Sequence, residues 1–219
     1  MRLSPLKIAG TVGIAAALSV GAVACGSDSN SSNSSGGSTA TTEMMGSSTT
    51  EMMAGLTSAN FGPGCAAVPT SGAGSFSGMA SDPAATAASN NPALSTLVSA
   101  VKAAGLVDTL NGEGPFTIFA PTNDAFAKIP AATLNSVMAD PSGALTKILT
   151  YHVIAGQSMN AQQLADAGTE KTVEGSEVKI AKAGDTIEVN GTSAVVCGNV
   201  KVGNGTVQII DTVLMPPGM

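Results

Sequence analysis

The chain has 219 residues, of which 43% are hydrophobic and 11% charged, and its formal net charge is -6. That is enough chain and enough apolar material to bury the core of one ordinary domain. There is no basic surface to collect phosphate backbones, so nucleic acid is excluded as an expected partner.

Arg2 and Lys7 precede an apolar run over residues 8–24 that ends in small residues before Cys25, the pattern of an export signal. Gly10, Gly13 and Gly21 interrupt the run, which makes a retained transmembrane helix the second choice. Ala22-Val23-Ala24-Cys25-Gly26 resembles the bacterial lipobox, with Ala22 where a leucine usually stands. Residues 1–24 are therefore expected to be a cleaved leader, and Cys25 a lipidated first residue carrying palmitate-type chains. Each buried methylene adds about 0.8 kcal/mol, so more than one chain gives stable attachment to the cell membrane. Export leads to an oxidising compartment, where the remaining Cys65 and Cys197 form an even pair that can bridge; two buried thiols are the alternative.

Residues 25–60 are rich in Ser, Gly, Thr and Asn and cannot bury enough apolar surface to fold alone, so they read as a tether. Thr39, Thr41, Thr42, Thr49 and Thr50 are weak glycosylation candidates by composition. Met44-Met45 and Met52-Met53 are soft ligands, but without His or Cys companions they read as an imperfect repeat, and no metal is assigned.

The domain is expected over residues 61–219. An irregular Gly- and Pro-rich lead carries Cys65, and Asp82-Pro83 offers a cap and first-turn proline for a short helix. Asn91-Pro92 starts a firmer helix with Leu94, Leu97, Val98 and Val101 on one face and Gly105 as its stop. Phe116 to Phe126 then reads as a strand, a turn at Pro121 and an immediate helix start. Phe116, Ile118 and Ala120 alternate with Thr117 and Phe119, and Thr122 or Asn123 caps the following amides. Further helices are expected over 130–138, with Leu134, Val137 and Met138 inward, and from Asp140-Pro141 to Tyr151-His152-Val153-Ile154. Ser158 or Asn160 caps one more helix. Period two follows, with strands near 169–173, 177–181, 186–189, 194–200 and 207–214 forming an antiparallel meander. Helices first and strands later predict an α+β domain.

Little in the chain serves catalysis. His152 is the single histidine, no Gly-x-Ser-x-Gly elbow accompanies it, and its expected role is structural hydrogen bonding. Asp124 has no second carboxylate at defined reach and suits the first turn of a helix. Asp108, Glu113, Asp185 and Asp211 form no recognisable oxygen array. Asn190-Gly191-Thr192 and Asn204-Gly205-Thr206 match a glycosylation pattern but read better as turns between strands.

From about Ala93 to Leu214 the chain resembles a fasciclin, or FAS1, domain. Phe116-Thr-Ile-Phe-Ala-Pro-Thr-Asn-Asp-Ala-Phe126 looks like its first motif, Tyr151-His152 its central pair, and Gly205-Thr-Val-Gln-Ile-Ile-Asp-Thr-Val-Leu214 its terminal motif. The resemblance implies a β-sandwich-like core with packed helices, in which Phe116, Phe119, Pro121, Thr122, Asn123, Asp124 and Phe126 are structural. It also implies a Cys65–Cys197 disulfide; on the residues themselves, no enzymatic activity and no cofactor are expected. The implied function is adhesion to host or matrix components by a monomeric, surface-exposed and partly shed domain, with Tyr151 and His152 as interaction residues. The alternative is an envelope carrier of lipids or other hydrophobic ligands, which requires a persistent apolar groove.

Overall fold

The computed structural model describes Leu56 and residues 59–218. The leader, Cys25, the methionine pairs and the tether threonines lie outside the described residues. Leu56 is nonetheless buried in the core, and Asn60 donates to the Asn199 carbonyl, so the packed region starts about five residues before the expected boundary at 61.

A 3-10 turn, Pro63–Ala67, opens the domain. Helices α1 (Phe76–Met79), α2 (Ala84–Ser89), α3 (Ser95–Ala103) and α4 (Val107–Asn111) precede strand β1 (Phe116–Pro121). Then come α5 (Asn123–Ala127), α6 (Ala131–Ala139), a π-helical turn Pro141–Leu145, α7 (Thr146–Tyr151), β2 (Val153–Ala155) and α8 (Ala161–Ala167). Strands β3 (Thr169–Lys171), β4 (Glu177–Ala183), β5 (Thr186–Val189), β6 (Ser193–Val202) and β7 (Gly205–Ile210) finish the domain.

The seven strands form one sheet in the order β2-β1-β7-β6-β5-β4-β3. Strands β3 to β7 are the expected meander, but β1 lies beside β7 in parallel, pairing Phe116 with Gly205 through Pro121 with Ile210. A purely antiparallel sheet is thereby corrected to a mixed one. The helices between β1 and β7 leave β1 no short hairpin route, so it pairs instead with the last strand. Val173 N–H donates to the Val153 carbonyl (2.8 Å) and Glu174 N–H to that of Thr150 (3.3 Å), so the two ends of the sheet meet and the sheet curls toward a barrel.

This closure buries both faces of β1. Ile118 and Ala120 pack against α2–α7, while Thr117 and Phe119, both 0% exposed, enter the second core cluster with Ile154, Leu164, Ile187 and Ile210 or bond within it. The period-two alternation therefore separates two cores rather than core from solvent. Helix α6 sits more shallowly: it has no fully buried residue, Leu134 and Val137 are half-buried against the core as expected, and Met138, 37% exposed, is corrected from the expected inward face. Strand β2 was hidden because Val153–Ala155 is too short to show a period.

Capping is partly local and partly supplied from afar. Asn160 and Gln163 form a reciprocal capping box on α8, and Asp140 takes the amides of Gly143 and Ala144. At α2, Pro83 rather than Asp82 is the cap, and the first amides go to the side chains of Asn204 and Asn111. Asn204 also donates to the carbonyls of Leu110 and Gly112, both at 2.8 Å, so its amide ties the β6–β7 turn to two helices. Asn204→Ala leaves three backbone groups without these partners. It should cost roughly 2 kcal/mol, read as a lower urea midpoint at unchanged slope.

Candidate functional site

Because β1 and β7 run parallel, their carboxyl ends emerge together, and the polar tip of each follows immediately. Thr122 N–H donates to the Ile210 carbonyl (3.1 Å), and the Thr122 hydroxyl caps α5 by accepting from Ala125 N–H (3.2 Å). Asn123 does not cap its own helix. Its Oδ1 accepts from Thr96 N–H (2.9 Å) and the Ser95 hydroxyl, while its amide donates to the Pro92 carbonyl, which fixes the start of α3 against α5.

One turn later Lys128 reaches across to the end of β7. Its Nζ lies 3.0 Å from Asp211 Oδ2 and 3.2 Å from the Thr212 hydroxyl, and Asp211 Oδ1 accepts from Ala194 N–H (2.9 Å). Partial burial pushes the Asp211 carboxyl up, but the bonds from Lys128, Ala194 and Thr212, with the lysine charge, outweigh it and hold it below the usual range. Asp124, exposed at the same rim, has no side-chain partner among the described residues.

These residues form one wall of a groove of about 460 Å³. Gly64, Ala67 and Val68 form the other wall, and Val196 and Ile209 contribute apolar surface. Cys65 and Cys197 are bonded (S–S 2.02 Å, Cα–Cα 4.8 Å), which pins the 3-10 turn to β6 and so fixes the second wall. The volume is in the range of ordinary ligand sites.

Tyr151 and His152 lie elsewhere. Both are 2% exposed, which corrects their reading as surface interaction residues. The Tyr151 hydroxyl donates to the Glu177 carbonyl (3.1 Å) and accepts from the Asn190 amide (2.9 Å), so it locks α7 to the β5–β6 turn. His152 Nδ1 is 2.7 Å from the Ile148 carbonyl, and its Nε2 accepts from Leu214 N–H at 3.0 Å. A carbonyl only accepts, so Nδ1 carries the proton and the ring is neutral. Burial outweighs the Ile148 hydrogen bond and lowers its pKa to about 4. With both nitrogens engaged, the ring has no atom to offer a substrate. Phe119, Pro121 and Phe126 are core residues, and Phe116 is half-buried against the core.

An apolar cavity of about 40 Å³ lies beneath α2–α4, lined by Leu97, Val101, Leu110, Val153 and the His152 ring among others. An engineered apolar cavity of ~150 Å³ binds benzene, and this space is several times smaller. Among the described residues no group of three or more His, Cys, Asp or Glu side chains is placed to hold a metal ion.

Lys128 and Asp211 were missed as a pair because 83 residues separate them, and only the parallel β1–β7 pairing brings them together. Asn199 and Gln208, which are buried and bonded to each other, carried no sequence signal beyond polarity inside a strand pattern.

The Fasciclin domain profile matches residues 92–216. The chain is 49% identical over 177 residues to the cell surface glycolipoprotein MPT83 of Mycobacterium tuberculosis (strain H37Rv), covering 77% of this chain and 78% of that protein. It is 48% identical over 164 residues to the immunogenic protein MPB70 of Mycobacterium bovis, covering 71% and 82% respectively. Among solved structures, the FAS1 domain pair of the insect cell adhesion molecule Fasciclin I superposes with a TM-score of 0.53 at 18% identity, over 62% of this chain and 51% of that one. That likeness bears on the fold alone.

Proposed function

The chain belongs to the fasciclin domain family, and from that membership we propose that it is a lipid-anchored adhesion module of the bacterial cell surface that docks a host or matrix protein in the groove between Asp124 and the disulfide-tied turn. The groove is the observation that carries this reading. Its walls are fixed by a covalent bond, by the Lys128–Asp211 pair and by the Asn123 clamp, so little ordering is required on binding. Its apolar surface suits an aliphatic stem, and the unpartnered Asp124 suits a basic head group on the partner. The name of the mycobacterial relative, a cell surface glycolipoprotein, supports the placement, as does the leader-like stretch before Cys25.

The test is binding of the chain lacking residues 1–25 to host cells. Saturable binding is expected, weakened about tenfold by Asp124→Lys and unchanged by Lys182→Glu on the remote face of β4. Equal affinity of Asp124→Lys and the unaltered chain would remove the groove from the proposal. For the anchor, metabolic labelling with a fatty-acid analogue should mark the full chain and not its Cys25→Ala form. The carrier reading would regain ground only if native mass spectrometry of the gently purified chain showed a stoichiometric apolar ligand.

A further inference from the structure

His152 sits between two apolar spaces and holds the end of the domain in place. On one side is the cavity beneath α2–α4, and on the other a narrow slot between α6 and the core, lined by Phe126, Ile129, Ile148, Val213 and Met215 among others. The strap after β7, residues 212–217, closes that slot, and its Leu214 N–H is donated to His152 Nε2 at 3.0 Å. Val213 and Leu214 are buried, so this backbone amide has no water to turn to. Helix α6, the other cover of the slot, contributes no buried residue and is the less firmly held of the two.

We propose that His152 is an acid-sensitive latch for the C-terminal strap: a proton taken from solvent at Nε2 sets two N–H groups against each other, breaks the Leu214 bond and releases residues 212–217 from the slot they close. The Ile148 carbonyl already holds the Nδ1 proton, so the ring cannot turn to a second neutral arrangement that keeps both bonds. No charge is at hand to stabilise an imidazolium. The elements packed around the ring carry Lys102, Asp108, Asp124, Lys147 and Asp211, and none of them lines either apolar space.

The sign follows from the buried ring. Its folded pKa lies near 4, below the ordinary 6.5, so the neutral ring's contribution is complete above pH 6.5 and is lost as pH falls from 6.5 toward 4. If the strap opens to a ring of ordinary pKa, the open population rises roughly twentyfold between pH 7 and pH 5. His152 is the single histidine of the chain, so its ring resonances can be followed without assignment ambiguity. The experiment is amide hydrogen exchange by NMR on the full chain from pH 7 to pH 4, corrected for intrinsic rates. Protection at Val213 and Leu214 should fall by about that factor between pH 7 and pH 5, while Ile187 and Ile210 keep theirs. In His152→Gln, whose Oε1 accepts but takes no proton, the strap should lose this pH dependence. If strap protection stays constant from pH 7 to pH 4, or falls only together with the sheet, the latch is wrong. Both outcomes are read on the unaltered chain, so they stand even if the variant does not fold.

Discussion

Removing the Cys65–Cys197 bridge, by reduction or as the Cys65→Ala/Cys197→Ala double variant, should lower the unfolding free energy by about 4–5 kcal/mol. The bonded residues are 132 positions apart, so the crosslink encloses most of the domain and restricts the unfolded chain over nearly its whole length. Loops of this size lie at the upper end of the chain-entropy estimate. Alanine is the better replacement because Cys197 is 0% exposed, and serine would add the cost of a buried hydroxyl. Urea denaturation with and without reductant measures the effect, and a difference below about 1 kcal/mol would mean that the unbridged ensemble is already compact.

The same cut should act locally before it acts globally. The bridge pins the 3-10 turn Pro63–Ala67 to β6, and that turn supplies Gly64, Ala67 and Val68 to the groove wall. The flanking Phe61 is held separately, since Gly198 N–H donates to its carbonyl and its ring occupies the space a side chain at position 198 would need. Reduction under native conditions should therefore loosen the groove while β1, β6 and β7 stay paired. Host-cell binding would then be lost at reductant concentrations that leave the far-ultraviolet circular dichroism unchanged.

Most of the fold was legible because its signals are local. Asn160 with Gln163, Asp140 before Pro141, Gly105 at positive φ after α3, and Asn190-Gly191 between β5 and β6 each make in the structure the cap, stop or turn that their chemistry favours. Non-local pairing was not legible. Nothing near Phe116 announces that its partner strand begins at Gly205, and once β1 is flanked by β2 and β7 its polar Thr117 is buried as fully as Phe119. Thr117 is tolerated there because its hydroxyl donates to the Gln157 carbonyl and accepts from Met159 N–H. The candidate site was half legible. Thr122, Asn123 and Asp124 stood out as a motif, but the same residues could have been wholly structural, and only the parallel strands that bring Lys128 and Asp211 beside them make a groove. Tyr151 and His152 were conspicuous as rare residue types, a property shared by binding residues and by buried hydrogen-bonded ones.

Asn199→Ala should be nearly as damaging as loss of the bridge, at roughly 4 kcal/mol or more, because one amide serves four separate groups. Its Nδ2 donates to the carbonyls of Leu56 and Ala59, and its Oδ1 accepts from Ala161 N–H at the start of α8 and from the Gln208 amide. Asn199 is 1% exposed, so the groups it leaves behind face no solvent. It also sits at φ 60, where alanine meets a steric cost that asparagine tolerates better and glycine avoids. A series separates the two causes. Asn199→Gly relieves the backbone and should recover about 1 kcal/mol over alanine. Asn199→Asp keeps the acceptor for Ala161 but turns a charge toward the Leu56 and Ala59 carbonyls, so it should release the amino-terminal lead first. Limited proteolysis reads that release as new cleavage near residues 56–60 in the aspartate variant, with the core from β1 onward intact. If the three variants are equally stable and equally resistant, the side chain does not tie the lead to the domain, and the attachment rests on burial of Leu56 and on the bonds from Asn60 to the Asn199 carbonyl and from Gln162 N–H to the Leu56 carbonyl.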